Sequence, residues 1–99
     1  MNNKVDMDES FVKTSNIETF ADDEIVIGYC SSNSTTFCFN DISYLIYSIC
    51  DSKTPSQIIE HIIELYKLNK EEYGMVRNDV IDVLELFLQH HLIEKSNAN

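Results

Sequence analysis

The hydrophobic pattern of this 99-residue chain changes period at Asn40, and the change divides the sequence into two kinds of structure. Upstream the pattern is strand-like. Phe11, Val12, Thr14, Ile17, Thr19 and Phe20 suggest a loose first strand, bent because the alternation is imperfect. Ala21-Asp22-Asp23 reads as a turn. Glu24-Ile25-Val26-Ile27-Gly28-Tyr29-Cys30 is the clearest strand, rich in β-branched and aromatic residues. Ser31-Ser32-Asn33-Ser34 is a polar connector of hairpin length, and Thr35-Thr36-Phe37-Cys38-Phe39 makes a third strand. Sequential strands with such short connections predict an antiparallel meander.

Downstream the spacing becomes helical. Asn40 is a good N-cap, and Ile42, Leu45, Ile46, Ile49 and Cys50 follow on one face. Asp51-Ser52-Lys53 breaks that helix. Thr54-Pro55-Ser56-Gln57 starts the next, with Thr as cap, Pro at the first helical position and Gln placed for a capping box. Its apolar face is Ile58, Ile59, Ile62, Ile63, Leu65 and Tyr66. After Lys67-Leu68-Asn69-Lys70, with a short turn over 70–74, a third helix runs from about Met75 to His90. Val76, Val80, Ile81, Val83, Leu84, Phe87 and Leu88 cover an arc of about 160°, wider than packing on one neighbour requires. Two stripes lie within it, Val80-Val83-Phe87 and Ile81-Leu84-Leu88. Either both are core in a three-helix packing, or one fills the core while the other lines a groove. Leu92 and Ile93 are expected to tuck back and close the domain. Residues 1–9 and 95–99 read as disordered tails around one domain over 10–94, and the class is α+β.

Composition narrows the function. An apolar fraction of 43% suits a folded chain of this size, which can bury one modest core. No apolar run approaches the length of a membrane span, and the polar N-terminus carries no secretory pattern, so a cytoplasmic location is expected. Seventeen acidic residues against seven basic ones give a net charge of -10. Binding nucleic acid depends on counterion release by Lys and Arg, so neither nucleic acid nor an anionic membrane is an expected partner.

Catalytic and metal motifs are missing from the sequence. Gly28 and Gly74 are the only glycines, so there is no phosphate-cradling loop, and no GxSxG, HExxH or EF-hand pattern occurs. Cys30, Cys38 and Cys50 are odd in number without CxxC spacing, and read as buried reduced thiols. His61 reads as a helix-surface residue, and adjacent His90 and His91 point in different directions, which suits no single metal. Carboxylate pairs such as Asp79 and Asp82 are a solvated face in so acidic a chain. No enzyme activity and no cofactor are expected.

The order of strands, helices and closing apolar turn resembles the PqqD-like family, the recognition elements of ribosomally made, modified peptides. Phe37-Cys38-Phe39-Asn40-Asp41-Ile42-Ser43-Tyr44-Leu45-Ile46 looks like the family's strand-to-helix passage. Asp51-Ser52-Lys53-Thr54-Pro55-Ser56-Gln57-Ile58-Ile59 is similar to its turn, Thr cap and helix start. Asn78 to Leu88, followed by His91-Leu92-Ile93, resembles its third helix and closing Gly-Leu-Ile or Gly-Leu-Val. Together these span roughly residues 11–94. The chain departs from the pattern at Ser52 and at His91, where the family commonly has Gly.

The resemblance implies a winged helix-turn-helix-like domain, a three-stranded antiparallel sheet followed by three helices. It also implies that a precursor's leader peptide binds as an added antiparallel strand between the third strand and the third helix. On this sequence the edge is Thr35, Thr36, Phe37, Cys38 and Phe39, and the wall is Val76, Val80, Ile81 and Leu84. Arg77 stands where it either anchors an acidic leader residue or pairs with a nearby acid such as Asp22 or Asp23. The edge carries neither Lys nor Pro, the usual guards of an open strand. Standalone members serve a separate modifying enzyme, such as a radical-SAM enzyme, a cyclodehydratase or a leader peptidase. Leaders of such systems are often acidic, as this chain is. Strand pairing and apolar anchors are therefore expected to dominate over charge. Two alternatives share the layout: a winged-helix DNA-binding protein, which would need a basic recognition helix, and a non-catalytic adaptor docking on a larger enzyme.

Overall fold

The computed structural model describes residues 5–14, 17–22, 25–31 and 34–96. The fold is α+β. Strands β2 (Ile17–Ala21), β3 (Val26–Cys30) and β4 (Thr35–Phe39) form an antiparallel sheet in the order β2-β3-β4. Helices α1 (Asp41–Ile49), α2 (Pro55–Tyr66) and α3 (Tyr73–Gln89) follow, with a 3₁₀ turn over Lys70–Glu72 ahead of α3.

Register fixes the faces of the sheet. Phe39 lies opposite Val26, Phe37 opposite Gly28, and Phe20 opposite Ile27. Because side chains alternate along a strand, Val26, Gly28, Cys30, Phe37 and Phe39 share the inner face, while Phe20, Ile27, Thr36 and Cys38 share the outer one. Burial agrees: Cys30 and Phe39 are buried, and Phe20 and Ile27 are exposed. Gly28 is required by a close approach. A Cβ there would sit 2.7 Å from the Phe39 ring, which rests directly against the backbone of β3. Cys30 and Cys50 are buried and form no disulfide, but Cys38 is exposed, because it falls on the outer face of its strand.

The helix starts form where the capping signals place them. Ser43 N–H donates to Asn40 Oδ1 (2.8 Å) and Asn40 N–H to Ser43 Oγ (2.9 Å) at α1. Gln57 N–H donates to Thr54 Oγ1 (3.3 Å) and Thr54 N–H to Gln57 Oε1 (2.9 Å) at α2, with Pro55 at the first helical position. Such caps satisfy backbone donors that the helix leaves unpaired, at about 1 kcal/mol each. Below them, Ile46, Ile58, Ile59, Val80, Leu84 and Phe87 form one core with Phe11, Leu92 and Ile93.

The structure departs from the sequence expectation at both ends. The single bent strand expected over Phe11 to Phe20 is two strands in different sheets. Phe11–Lys13 is β1, which pairs with β5 (Ile93–Lys95), while Ile17–Ala21 is β2. Phe11 is wholly buried, and its carbonyl accepts from Ser52 N–H (2.6 Å) in the turn after α1. The first segment thus serves the helical layer and the second the hairpin. Within residues 5–9, read as part of a tail, Val5 is buried, Met7 lies against the core, and Ser56 Oγ donates to the Met7 carbonyl (3.3 Å). At the other end Ser96 N–H donates to the Ser10 carbonyl (2.9 Å), and Lys95 Nζ pairs with Glu9 (3.4 Å). Residues 1–4 and 97–99 of the expected tails lie outside the described residues.

Candidate functional site

β4 is an edge strand, and the phase of the ladder says which of its backbone groups are left over. Asp22 N–H donates to the Ile25 carbonyl (2.8 Å) at the β2–β3 turn. In an antiparallel ladder the bonded pairs recur every second residue. Ile27 and Tyr29 therefore bond toward β2, while Val26, Gly28 and Cys30 bond toward β4. Their partners are Phe39, Phe37 and Thr35. The N–H and C=O of Thr36 and Cys38 consequently point away from the sheet. The edge ends at Asn40, whose N–H and C=O are taken by Ser43 Oγ and Tyr44 N–H in the α1 cap.

Rings pin the C-terminal end of α3 beside this edge. Phe37 meets His90 edge-on at 4.6 Å, and Phe39 meets Phe87 at 5.9 Å and Tyr47 at 5.4 Å. Residues three and four apart share a helix face, so Leu86 and Val83 continue the His90 side of α3. Leu86 is 44% exposed, and Val83 is partly buried against the core.

No protein-family model matches the sequence, and no curated protein matches it. A solved structure does: TbiB1 in complex with the TbiA(beta) leader peptide, at TM-score 0.70 and 20% identity, over 89% of this chain and 99% of that one. The chain shares the fold of TbiB1.

Within that fold the sequence-predicted residues separate. Thr35, Thr36, Phe37 and Cys38 lie along the β4 edge, with the Phe37 ring at its inner side and Cys38 on the outer face. Phe39 is 5% exposed and is core floor, held among Tyr44, Tyr47 and Phe87. Val80 and Leu84, assigned to the wall, are 1% and 0% exposed, so they are core and offer a ligand no surface. Ile81 is partly buried, but at about 100° per residue it lies half a turn round the helix from His90. Val76 is partly buried against the core on the same side as Val83. Arg77 is exposed, makes no ion pair among the described residues, and lies well round the helix from Leu86 and His90.

Leu86 and His90, which share the side of α3 that meets Phe37, were not among the peptide-binding residues singled out from the sequence. A period of 3.6 marks the apolar arc but not which flank of it turns toward a strand. Adjacent His90 and His91 do diverge as expected. His90 packs on Phe37, while His91 turns the chain with φ 64 and its carbonyl accepts from Thr14 Oγ1 (3.0 Å). Beneath the site, Tyr47 and Cys50 hold their protons more tightly than usual because burial penalises their charged forms, and the Cys50 thiol is pushed up to about 11. Among the described residues the arrangement supplies unpaired backbone groups and apolar contacts, which suit binding an extended chain.

Proposed function

We propose that this protein is a peptide-recognition element that binds the leader region of a ribosomally synthesised precursor peptide and presents it to a separate modifying enzyme. It does no catalysis itself. The leader adds to the sheet as a strand antiparallel to β4, hydrogen-bonding to Thr36 and Cys38 and setting alternate side chains between Phe37 and the Val83, Leu86 and His90 side of α3. The observation that carries this reading is the open β4 edge beside α3, in a fold shared with a protein solved with a leader peptide bound.

A second observation supports the likeness to the PqqD-like pattern. Ser52 and His91, the positions where that pattern has Gly, both adopt left-handed backbone with φ 64. Gly adopts this conformation without steric cost. The local geometry that explains the family's glycine is therefore present here under other side chains.

The DNA-binding alternative finds no support in charge, since exposed Asp79 and Asp82 outnumber Arg77 on α3. Among the described residues no helix is long and apolar enough to cross a membrane. We assign the protein to the cytoplasm, where ribosomal precursors are made. The test is titration of the full chain with the leader of a short precursor encoded beside it, at low and at high salt. Strand pairing and apolar anchoring predict saturable binding with little salt dependence. Absence of binding, or affinity that falls steeply with salt, would contradict the mechanism.

A further inference from the structure

The core stripes of α2 and α3 run on past the core they serve. Tyr66 stands four residues after Ile62 and Tyr73 seven before Val80, each on the buried side of its helix, yet they are 51% and 39% exposed. The chain turns sharply here because Lys67 takes left-handed backbone (φ 55) and Leu68 N–H reaches back to the Ile63 carbonyl (3.0 Å). Between the two helices this leaves an open cavity of about 560 Å³, with Ile63, Leu68 and Tyr73 as its apolar lining and Glu60, Glu64, Asn69 and Lys70 as its polar lining. Glu60 and Glu64 lie one turn apart on α2 and form no ion pair among the described residues. Ile63 and Leu68 are only partly buried and Tyr73 is exposed, so the cavity offers apolar surface to a partner.

The occupant follows from charge. The cavity lining carries Glu60 and Glu64 against Lys70, and α2, the 3₁₀ turn and α3 together hold seven acidic residues against Lys67, Lys70 and Arg77, within a chain of net charge -10. An acidic partner would meet repulsion from Glu60 and Glu64, whereas a basic one gains attraction there while its apolar group packs on Ile63, Leu68 and Tyr73. The corner also lies at the opposite end of α3 from Phe37 and His90, so it remains open while β4 is occupied.

We infer that this corner is the docking surface for the modifying enzyme, and that it takes an apolar side chain carried on a lysine- or arginine-rich segment of that enzyme. This rests on the reading that the chain presents a leader to a separate enzyme. It also gives the acidic surface a purpose that leader binding does not supply.

The experiment uses the full ¹⁵N-labelled chain and two short amidated probe peptides. One has leucines three and four apart among lysines, and the other has glutamate in place of lysine. The expected result is saturable shifts of the Ile63, Leu68 and Tyr73 amides with the lysine peptide and none with the glutamate peptide. The double variant Glu60→Lys with Glu64→Lys is expected to bind the lysine peptide about tenfold more weakly, as is Tyr73→Ser, which removes the apolar half of the site. Leader binding at β4 should be unchanged in both variants, so failure at one site is not mistaken for failure at the other. Equal binding of both probes overturns the inference, as do shifts spread evenly to Asp79 and Asp82, no shift at the corner, or undiminished affinity in the double variant.

Discussion

Ser52 and His91 each hold a left-handed backbone that costs an L-residue about 1–2 kcal/mol, since its Cβ crowds the following carbonyl. Gly at either position removes that cost and adds back part of it as unfolded-chain entropy. Ser52→Gly and His91→Gly are each expected to stabilise the protein by about 0.5–1 kcal/mol, read as a rise in Tm of about 4 °C. An unchanged or lower Tm would mean that Ser52 or His91 makes compensating contacts. The Cys50 thiol gives a second prediction at this scale. Its proton is held to about pH 11 in the fold, against an ordinary value of 9.0, chiefly because burial excludes the thiolate. The folded state thus binds this proton more tightly than the unfolded one. Stability from this source is complete below pH 9 and falls as pH rises toward 11, by about 3 kcal/mol in all. Tyr47 adds in the same direction. Urea unfolding of Cys50→Ala across this range should show a flatter pH profile than the parent, and parallel profiles would refute the assignment.

At the scale of elements, the starts of α1 and α2 were legible because each rests on a local signal. Asn40 with Ser43, and Thr54 with Gln57, make reciprocal bonds within a few residues, so no distant part of the chain is needed to place them. β4 was legible through its own residues and the polar connector before it. The wall of the site was not. The apolar arc of α3 has two flanks that look alike in one dimension, and what separates them is Phe37 meeting His90, far apart in sequence. Paired variants test the proposed wall. Leu86→Asp places a charge on a 44% exposed side chain, and is expected to keep the fold while weakening leader binding about tenfold or more. Leu84→Asp buries a charge at a position with no exposure, and is expected to unfold the domain by circular dichroism. A folded Leu86→Asp protein that binds as well as the parent would exclude this flank of α3.

For the molecule as a whole, the pieces that escaped the sequence reading are those joining its two ends. β1 and β5 are three residues each, too short to show alternation, and each is a strand only because the other lies beside it. Val5 joins the core from a stretch whose composition is that of a tail. Together these contacts tie the chain ends under the helices and leave the β2-β3-β4 sheet with its β4 edge open. That open edge carries the proposed function, and the ladder phase says which amides it offers. Hydrogen exchange of individual amides with and without the leader tests it most directly. Thr36 and Cys38 should exchange quickly in the free protein and become protected on binding, while Phe37, already bonded to Gly28, stays protected throughout. Leader binding that leaves the Thr36 and Cys38 amides unprotected would contradict it.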